Sequence, residues 1–411
     1  MKARKTTSAL VVTALLAAAC GGGSSHSSTI ATAVPARSVA LPEMLSSPKQ
    51  PVPSALDDPA APGLPKPLVD PNQIRSGGPR PDGIPAIDRP RFVTAGDVNF
   101  LRDQEPIIAV NVGGEERAYP VRILIWHEIV NDTVGGIPVA VTYCPLCNTA
   151  IAYDRRAGDE VFDFGTSGKL YNSDLVMYDR QTRSLWVQFL GQAVAGVETG
   201  TLLRAHTAQT LSWADWRRAH RTAWVLSTDT GFQRDYGRNP YPGYDNTNRH
   251  PFLFDKPSDG RLAAMTRVVG LQQGSDAVAI TNDALRRTPV IATSLDGLPV
   301  IVWLRPGTVS PLDDDAVDTG KEIGASGAFQ PIIDGRVLHF YSASRGFQDR
   351  ETGTAWDVQG HATGGRYAGR SLTPVPHVDT FWFAWAVFLP STRLVSQSVG
   401  DAIKRGRLTS P

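Results

Sequence analysis

The segment IPVAVTYCPLCNTAIAYD, residues 137–154, carries the strongest signal for the fold. The apolar run before Cys144 has the length and composition of a buried strand. Asn148 and the residues after it are typical of a turn followed by a second strand. The segment therefore predicts strand, turn and strand, with Cys144 and Cys147 placed where the first strand ends.

Similar strand-length runs recur along the chain and are separated by Gly, Asp and Asn turns. They are PIIAVNV, VFDFG, LVMYD, LPVIVWL and VLHFYS. Helical patterns are fewer, and the sequence predicts helices at Pro120–Asn131, Ser212–His220 and Thr380–Phe388. We therefore expect a mainly β fold with a few helices, of the α+β class.

An internal repeat is visible along the folded part of the chain. DRQTRSLW (residues 179–186) aligns with DRETGTAW (residues 349–356), and GIPVAV (136–141) aligns with GLPVIV (297–302). Such self-similarity predicts a duplication into two similar β-rich repeats packed together. We place the first repeat at 89–235, a Pro/Asn/Gly-rich connection at 236–264 and the second repeat at 265–395.

The repeat separates residues that the fold needs from residues that serve a site. The alignment places Cys144 on Arg305 and Cys147 on Thr308. It also places His127 and Glu128, in the motif HEIVND, on Thr288 and Pro289. The chemically capable residues of the first repeat are therefore not demanded by the shared fold.

The cysteine pair has three interpretations, which the sequence leaves open. Two thiolates at this spacing can bind a metal ion, for which zinc and copper are the candidates. His127 and His361 are then the expected further ligands. The pair can also be a redox dithiol, although no helix is predicted after the motif, or an inert structural disulfide.

A second polar cluster, GTSGKLYNSD (residues 165–174), is a candidate ligand-binding loop. It matches neither a phosphate-binding loop nor a nucleophile elbow. Together with HEIVND it gives the predicted ligand-binding residues, which are Glu128, Ser167, Lys169, Tyr171 and Asn172. The interface between the repeats is where we expect the pocket. No catalytic residue is assigned, and the sequence leaves open whether the protein is an enzyme.

The N-terminus resembles a bacterial lipoprotein signal. Residues 1–20 combine a basic start, an apolar stretch too short to span a bilayer, and Cys20 as the lipidation site. Residues 21–88 are rich in Pro, Ala and Ser and predict an extended tether, and residues 396–411 form a tail. We expect a protein in the bacterial cell envelope, outside the cytoplasm, whose partner is a membrane through its lipid anchor.

Charge excludes one class of partner. The formal net charge is +1, with acidic and basic residues interspersed. Because no basic stripe is present, we do not expect nucleic-acid binding.

A family resemblance covers most of the chain. AYPVRILIWHEIVND, PVAVTYCPLCNTAIAYDR, SGKLYNSDLVMYDRQTRSLWVQ, DRETGTAWDVQGHATGG and FWFAW together resemble the domain-of-unknown-function family 3179. The resemblance implies membership of this family but does not imply an activity. The sequence therefore predicts an uncharacterised envelope lipoprotein with a metal-binding Cys-x-x-Cys site. A thiol–disulfide redox protein and a non-catalytic ligand-binding or structural protein remain the alternatives.

Overall fold

A computed structural model describes residues 53–396. Strands account for 41% and helices for 9% of the structure, which confirms the predicted mainly β fold. Within this range the α-helices are Val121–His127, Trp213–Ala219, Asn282–Arg287 and Trp382–Phe388, and a single 3-10 turn spans Pro71–Gln73. No helix of this range is long and apolar enough to cross a membrane.

The predicted helix Pro120–Asn131 is wrong at its C-terminal end. The helix ends at His127, Glu128 takes a positive φ of 59°, and the strand Ile129–Val134 follows. The reason is that the β-branched pair Ile129 and Val130 lies opposite Thr142 and Val141 in an antiparallel ladder. Strand pairing in the folded protein thus outweighs the apolar helical pattern, which continues past His127 in the sequence.

Three main sheets and a small hairpin form the first half. The sheet we call the cysteine sheet has the order Ala205–His206, Thr149–Asp154, Ile137–Cys144, Ile129–Val134. The sheet we call the aspartate sheet has the order Ile74–Ser76, Phe164–Tyr171, Asp174–Asp179, Leu185–Val187, Gln192–Ala195. The third has the order Ala208–Ser212, Pro106–Val112, Glu115–Pro120, Trp224–Leu226, Phe92–Thr94, and the hairpin pairs Arg156–Ala157 with Glu160–Val161.

The second half follows the same succession of elements. One sheet has the order His377–Phe381, Arg267–Gln273, Asp276–Thr281, Arg393–Val395, and another has the order Val290–Leu295, Leu298–Arg305, Ala325–Gln330, Thr373–Pro374. The meander has the order Phe340–Ala343, Gly346–Asp349, Ala355–Trp356, Ala362–Gly364, and a small hairpin pairs Ile332–Ile333 with Arg336–Val337. In both halves a hairpin, a helix and three antiparallel strands precede a small hairpin and a four-stranded meander.

The segment before residue 89 differs from the prediction over the part that the structure describes. The predicted tether spans 21–88, but from residue 53 onward the chain packs on the fold. Ala55 and Leu56 are buried, and Ile74–Ser76 pairs with the edge of the aspartate sheet. This Pro-rich segment cannot build a core alone. Its small apolar side chains and its strand pairing hold it against the rest of the fold. The signal, Cys20 and the first part of the tether lie outside the described residues, as does nearly all of the tail.

The two halves share their two largest apolar cores. One core contains Trp213 and Trp216 from the first half together with Trp303 and Phe347 from the second. The connection between the halves has no helix or strand between Leu226 and Arg267. It is nevertheless anchored, because the fully buried carboxylate of Asp245 is bonded to second-half side chains. The connection is thereby held against the second half.

Candidate metal centre and adjoining cavity

The two cysteines lie at the tip of a hairpin. Cys144 ends its strand opposite Thr149, and residues 145–148 form the turn. Asn148 takes a left-handed φ of 54°, and its N–H donates to the carbonyl of Pro145 at 3.3 Å. Both cysteines are free thiols and almost without solvent exposure. The hairpin therefore presents two sulfur atoms inside the protein, and no helix follows the motif.

The second half holds this turn in place. The carbonyl oxygen of Cys147 accepts hydrogen bonds from the Thr380 hydroxyl at 2.9 Å and from the Phe381 N–H at 3.1 Å. The Asn148 amide also donates to the carbonyl of Asp379 at 3.4 Å. Because these bonds come from the strand His377–Phe381, the position of the cysteines depends on the second half.

Asp174 brings a carboxylate to the two sulfurs. It is the first residue of its strand after a two-residue turn, in which Asn172 and Ser173 have φ values of 52° and 66°. Two successive positive φ values are the mark of a type I′ hairpin turn. The turn places the carbonyl of Ser173 within 3.5 Å of the Cys147 sulfur, which donates to it. Packing of one hairpin tip against the other thus brings Asp174 to the cysteines.

Cys144, Cys147 and Asp174 form a buried group that can hold a metal ion. One ligand atom from each residue lies within 4.8 Å of the other two. The Asp174 Oδ2 accepts a hydrogen bond from the Phe189 N–H at 2.8 Å, whereas its Oδ1 has no partner. Two thiolates on one zinc ion lie roughly 3.8 Å apart at a Zn–S distance of about 2.3 Å. The group therefore requires only small shifts to bind a metal.

The electrostatics of the group favour a cation. Burial raises the pKa of the Cys144 thiol and raises that of Cys147 well above its ordinary value. Burial likewise raises the pKa of Asp174 to about 7. None of these three side chains is paired with a lysine or arginine in residues 53–396. A bound cation would supply the missing positive charge and stabilise the ionised forms.

Glu128 stands beside this group in a strained conformation. Its backbone N–H donates to Leu124 at 2.7 Å, and its carbonyl accepts from the Tyr143 N–H at 2.8 Å. Burial, followed by the charge of Asp174, raises its pKa to about 8. Nine non-glycine residues of the described chain have positive φ, and Glu128, Asn148, Asn172 and Ser173 are four of them. Such strain concentrates at functional sites.

A cavity of about 540 Å³ adjoins the cysteine turn. Glu128 lines it, as does Leu146, which lies between the two cysteines in sequence. The aspartate sheet contributes Thr166, Gly168, Lys169, Leu170 and Leu175, and the connection contributes Pro240, Tyr241, Pro242, Tyr244, Arg249, His250 and Phe252. The connection, for which the sequence predicted only a Pro/Asn/Gly-rich segment, therefore forms one wall of the pocket.

His127 and His361 lie outside the buried ligand group. The His127 Nδ1 donates to the carbonyl of Pro85 at 2.7 Å, and its Nε2 accepts from the Tyr236 hydroxyl at 2.5 Å. His361 is paired with Asp357 at 3.4 Å. Metal binding by these histidines stays a prediction, and for His127 it requires both hydrogen bonds to break. Asp174, which the structure places with the sulfurs, is the last residue of the GTSGKLYNSD motif, and the sequence alone does not predict it as a ligand.

The predicted ligand-binding residues separate into two groups. Glu128 and Lys169 line the cavity. Ser167 donates its hydroxyl to the carbonyl of Val176, Tyr171 packs its ring 6.2 Å from that of Phe388, and Asn172 forms the hairpin turn. Glu128 and Lys169 thus line the cavity beside the cysteine turn, whereas the contacts of Ser167, Tyr171 and Asn172 lie in the aspartate sheet and its hairpin turn, so ligand binding by these residues stays a prediction.

Comparison with known proteins agrees with the motifs. The family model described as "Protein of unknown function (DUF3179)" matches residues 81–392. The chain belongs to the DUF3179 family. The match covers the cysteine sheet, the aspartate sheet apart from Ile74–Ser76, and the second half up to residue 392, so Cys144, Cys147 and Asp174 all lie within the matched region. No curated protein and no solved structure matches this family member.

Proposed function

We propose that this DUF3179 protein binds a metal ion through Cys144, Cys147 and Asp174, and that the ion is zinc. The observation that carries the proposal is the buried group itself, with the Asp174 Oδ1 unpartnered beside two thiols. Zinc accepts both sulfur and carboxylate oxygen. Copper(I), the other candidate, prefers sulfur alone, so the carboxylate favours zinc.

The number of protein ligands supports a metal site whose role is not only structural. Structural zinc sites have four protein ligands, whereas catalytic sites have three and keep one position for water or a substrate. Cys144, Cys147 and Asp174 supply three, and the cavity lies beside them. We therefore propose a metal site with an open coordination position, at which a bound water or substrate would meet Glu128.

The thiol–disulfide alternative is less well supported. A redox motif activates one cysteine as a low-pKa thiolate, commonly at a helix N-terminus. Here the motif is a hairpin turn, and burial raises the pKa of both thiols. An inert disulfide remains an outcome of the experiment that follows.

The experiment measures bound metal and free thiols on the same sample of exported protein, purified without chelator. About one equivalent of zinc is expected, and it should be lost in Cys144→Ser, Cys147→Ser and Asp174→Asn. Asp163→Asn, at a half-exposed aspartate of the same half, is the control that should keep the metal. His127→Gln separates the two ligand sets, since it keeps the metal if Asp174 is the third ligand. Absence of both metal and free thiols would establish a disulfide and end the proposal.

We also propose that the two halves arose by duplication and that only the first kept a site. Support comes from the shared succession of elements and from one repeated contact. The Trp186 Nε1 donates to Asp179 at 2.9 Å, and the Trp356 Nε1 donates to Asp349 at 3.0 Å. In each half the same aspartate also caps the next turn, through Thr182 or Thr352.

The lipid anchor at Cys20 is likewise a proposal, and the basic and apolar residues before Cys20 are what support it. Mass spectrometry of the N-terminal peptide from the native membrane fraction tests it. A diacylglycerol-modified Cys20 is expected, and Cys20→Ser should release the protein from the membrane.

A further inference from the structure

The cavity beside the cysteine turn has the size and walls of a small-molecule site. Its volume of about 540 Å³ lies within the range that metabolite-sized ligands occupy. Leu146, Leu175, Tyr241 and Tyr244 give it apolar and aromatic walls. Such walls bind the body of an organic molecule and exclude water from it, while a few polar groups fix its orientation.

The charged groups of the cavity are predominantly basic. Lys169, Arg249 and His250 line it, and Glu128 is the single acidic residue among the lining side chains. Lys169 and Arg249 have no carboxylate partner in residues 53–396, in contrast to Lys321, which contacts Asp245 and Asp313. A cavity with unpaired cations attracts an anion.

The position of Lys169 is set by an irregularity in its strand. The register with the neighbouring strand shifts between Thr166 and Lys169, which marks a β-bulge. Gly168 within the bulge has a φ of 71°, and a Cβ there would lie 1.9 Å from the carbonyl oxygen of Pro79. Bulges of this kind re-aim a side chain next to a site, and here the residue after Gly168 is the lysine on the cavity wall.

Glu128 provides a polar group at the end of the cavity nearest the metal ligands. Glu128 as a whole residue is 8% exposed, and its carboxyl makes no side-chain hydrogen bond or ion pair with the described residues. A largely buried carboxyl without a protein partner is costly, and a positive φ at a glutamate adds strain. Both costs are explained if a ligand is the missing partner.

We infer that this cavity binds a small organic anion, with its charge on Lys169 and Arg249, its apolar body between Leu146, Tyr241 and Tyr244, and its other end at Glu128. The inference rests on the proposed function only in placing that end beside a metal ion. Binding of the anion itself depends on the cavity residues.

Ligand-observed NMR of the full-length protein in detergent, with benzoate and hexanoate as probes, tests the inference. Their uncharged amides, benzamide and hexanamide, are the matched controls. Both carboxylates should show saturable binding at least tenfold tighter than the amides. Lys169→Gln should weaken carboxylate binding about tenfold, whereas Lys66→Gln, at an exposed lysine outside the cavity, should leave it unchanged.

The inference would be overturned by equal affinity for carboxylates and amides, or by equal carboxylate affinity of Lys169→Gln and the wild type. It would also be overturned if neither carboxylate showed saturable binding. Metal content measured on the same samples keeps the two proposals apart. Carboxylate binding to metal-free protein would leave the inference standing and contradict the metal site. A full equivalent of metal without carboxylate binding would support the metal site and overturn the inference.

Discussion

At the residue scale, Glu128 shows how local strain and a site coincide. It ends the helix Val121–His127 with a φ of 59° and a ψ of −31°, a region that residues with a Cβ avoid. Asparagine and glycine are the usual residues at such positions, and the sequence has glutamate instead. Glutamate at this position therefore lowers the stability of the fold. A role for its carboxyl beside the ligand group and the cavity explains why the residue is there.

Substitutions at Glu128 should reveal this strain. Glu128→Gly and Glu128→Ala both remove the carboxyl, but only alanine keeps the Cβ, so Glu128→Gly should be the more stable by about 1 kcal/mol. Unfolding in denaturant measures the difference. The control pair is Arg217→Gly and Arg217→Ala within the helix Trp213–Ala219, for which the order should reverse. Equal stability of the two Glu128 variants would show that the backbone is unstrained.

His127 should make the stability of the fold depend on pH. Burial lowers its pKa to about 4, and the charge of Arg234 acts in the same direction. A depressed pKa means that its contribution is complete above pH 6.5 and is lost as the pH falls through about 4. The loss should amount to about 3 kcal/mol over that interval.

The free energy of unfolding of the wild type and of His127→Gln, measured across this interval, isolates the contribution. The gap between the two curves should narrow toward acid pH, since only the wild type carries the buried imidazole. Parallel curves would contradict the lowering of the His127 pKa by burial.

At the scale of elements, two hairpin tips make the site and a third strand fixes it. The turn at residues 145–148 supplies the sulfurs, the turn at Asn172–Ser173 places Asp174, and the strand His377–Phe381 holds the carbonyl of Cys147. The cysteine hairpin was predictable because its apolar runs and turn residues are contiguous. Asp174 was not, since only the packing of two sheets brings it to Cys147.

Thr380 should tune the metal site from the second half. Thr380→Val keeps the shape of the side chain but removes the hydroxyl bonded to Cys147, so metal affinity should fall about tenfold, as for other outer contacts of metal ligands. Competition with a chromogenic chelator measures it. Thr308→Val is the matched control, because the Thr308 hydroxyl is buried without a partner. An unchanged affinity in Thr380→Val would mean that the turn holds its geometry alone.

At the scale of the whole molecule, the sequence predicted the mainly β class but not how the two halves join. No sequence pattern showed that Trp213 and Trp303 share one core. The prediction of a tether up to residue 88 failed beyond residue 53 for the same reason. Proline and alanine composition describes the segment alone, whereas its burial depends on the sheet beneath it.

The shared cores predict that the two halves unfold together. Residues 53–396 should lose far-UV ellipticity and tryptophan fluorescence in one coincident transition, since the two largest cores contain residues of both halves. Circular dichroism and fluorescence during one denaturant titration provide the comparison. Two separated transitions would show that the two halves unfold independently of each other.

The burial of both cysteines beneath Leu146 has a kinetic consequence. Leu146 and Glu128 line the cavity, whereas both cysteines are buried. An ion that reaches its ligands from the cavity would have to enter before the proposed anion does. An anion bound afterwards would block that route, so transfer of the ion to a chelator should then be limited by the dissociation of the anion.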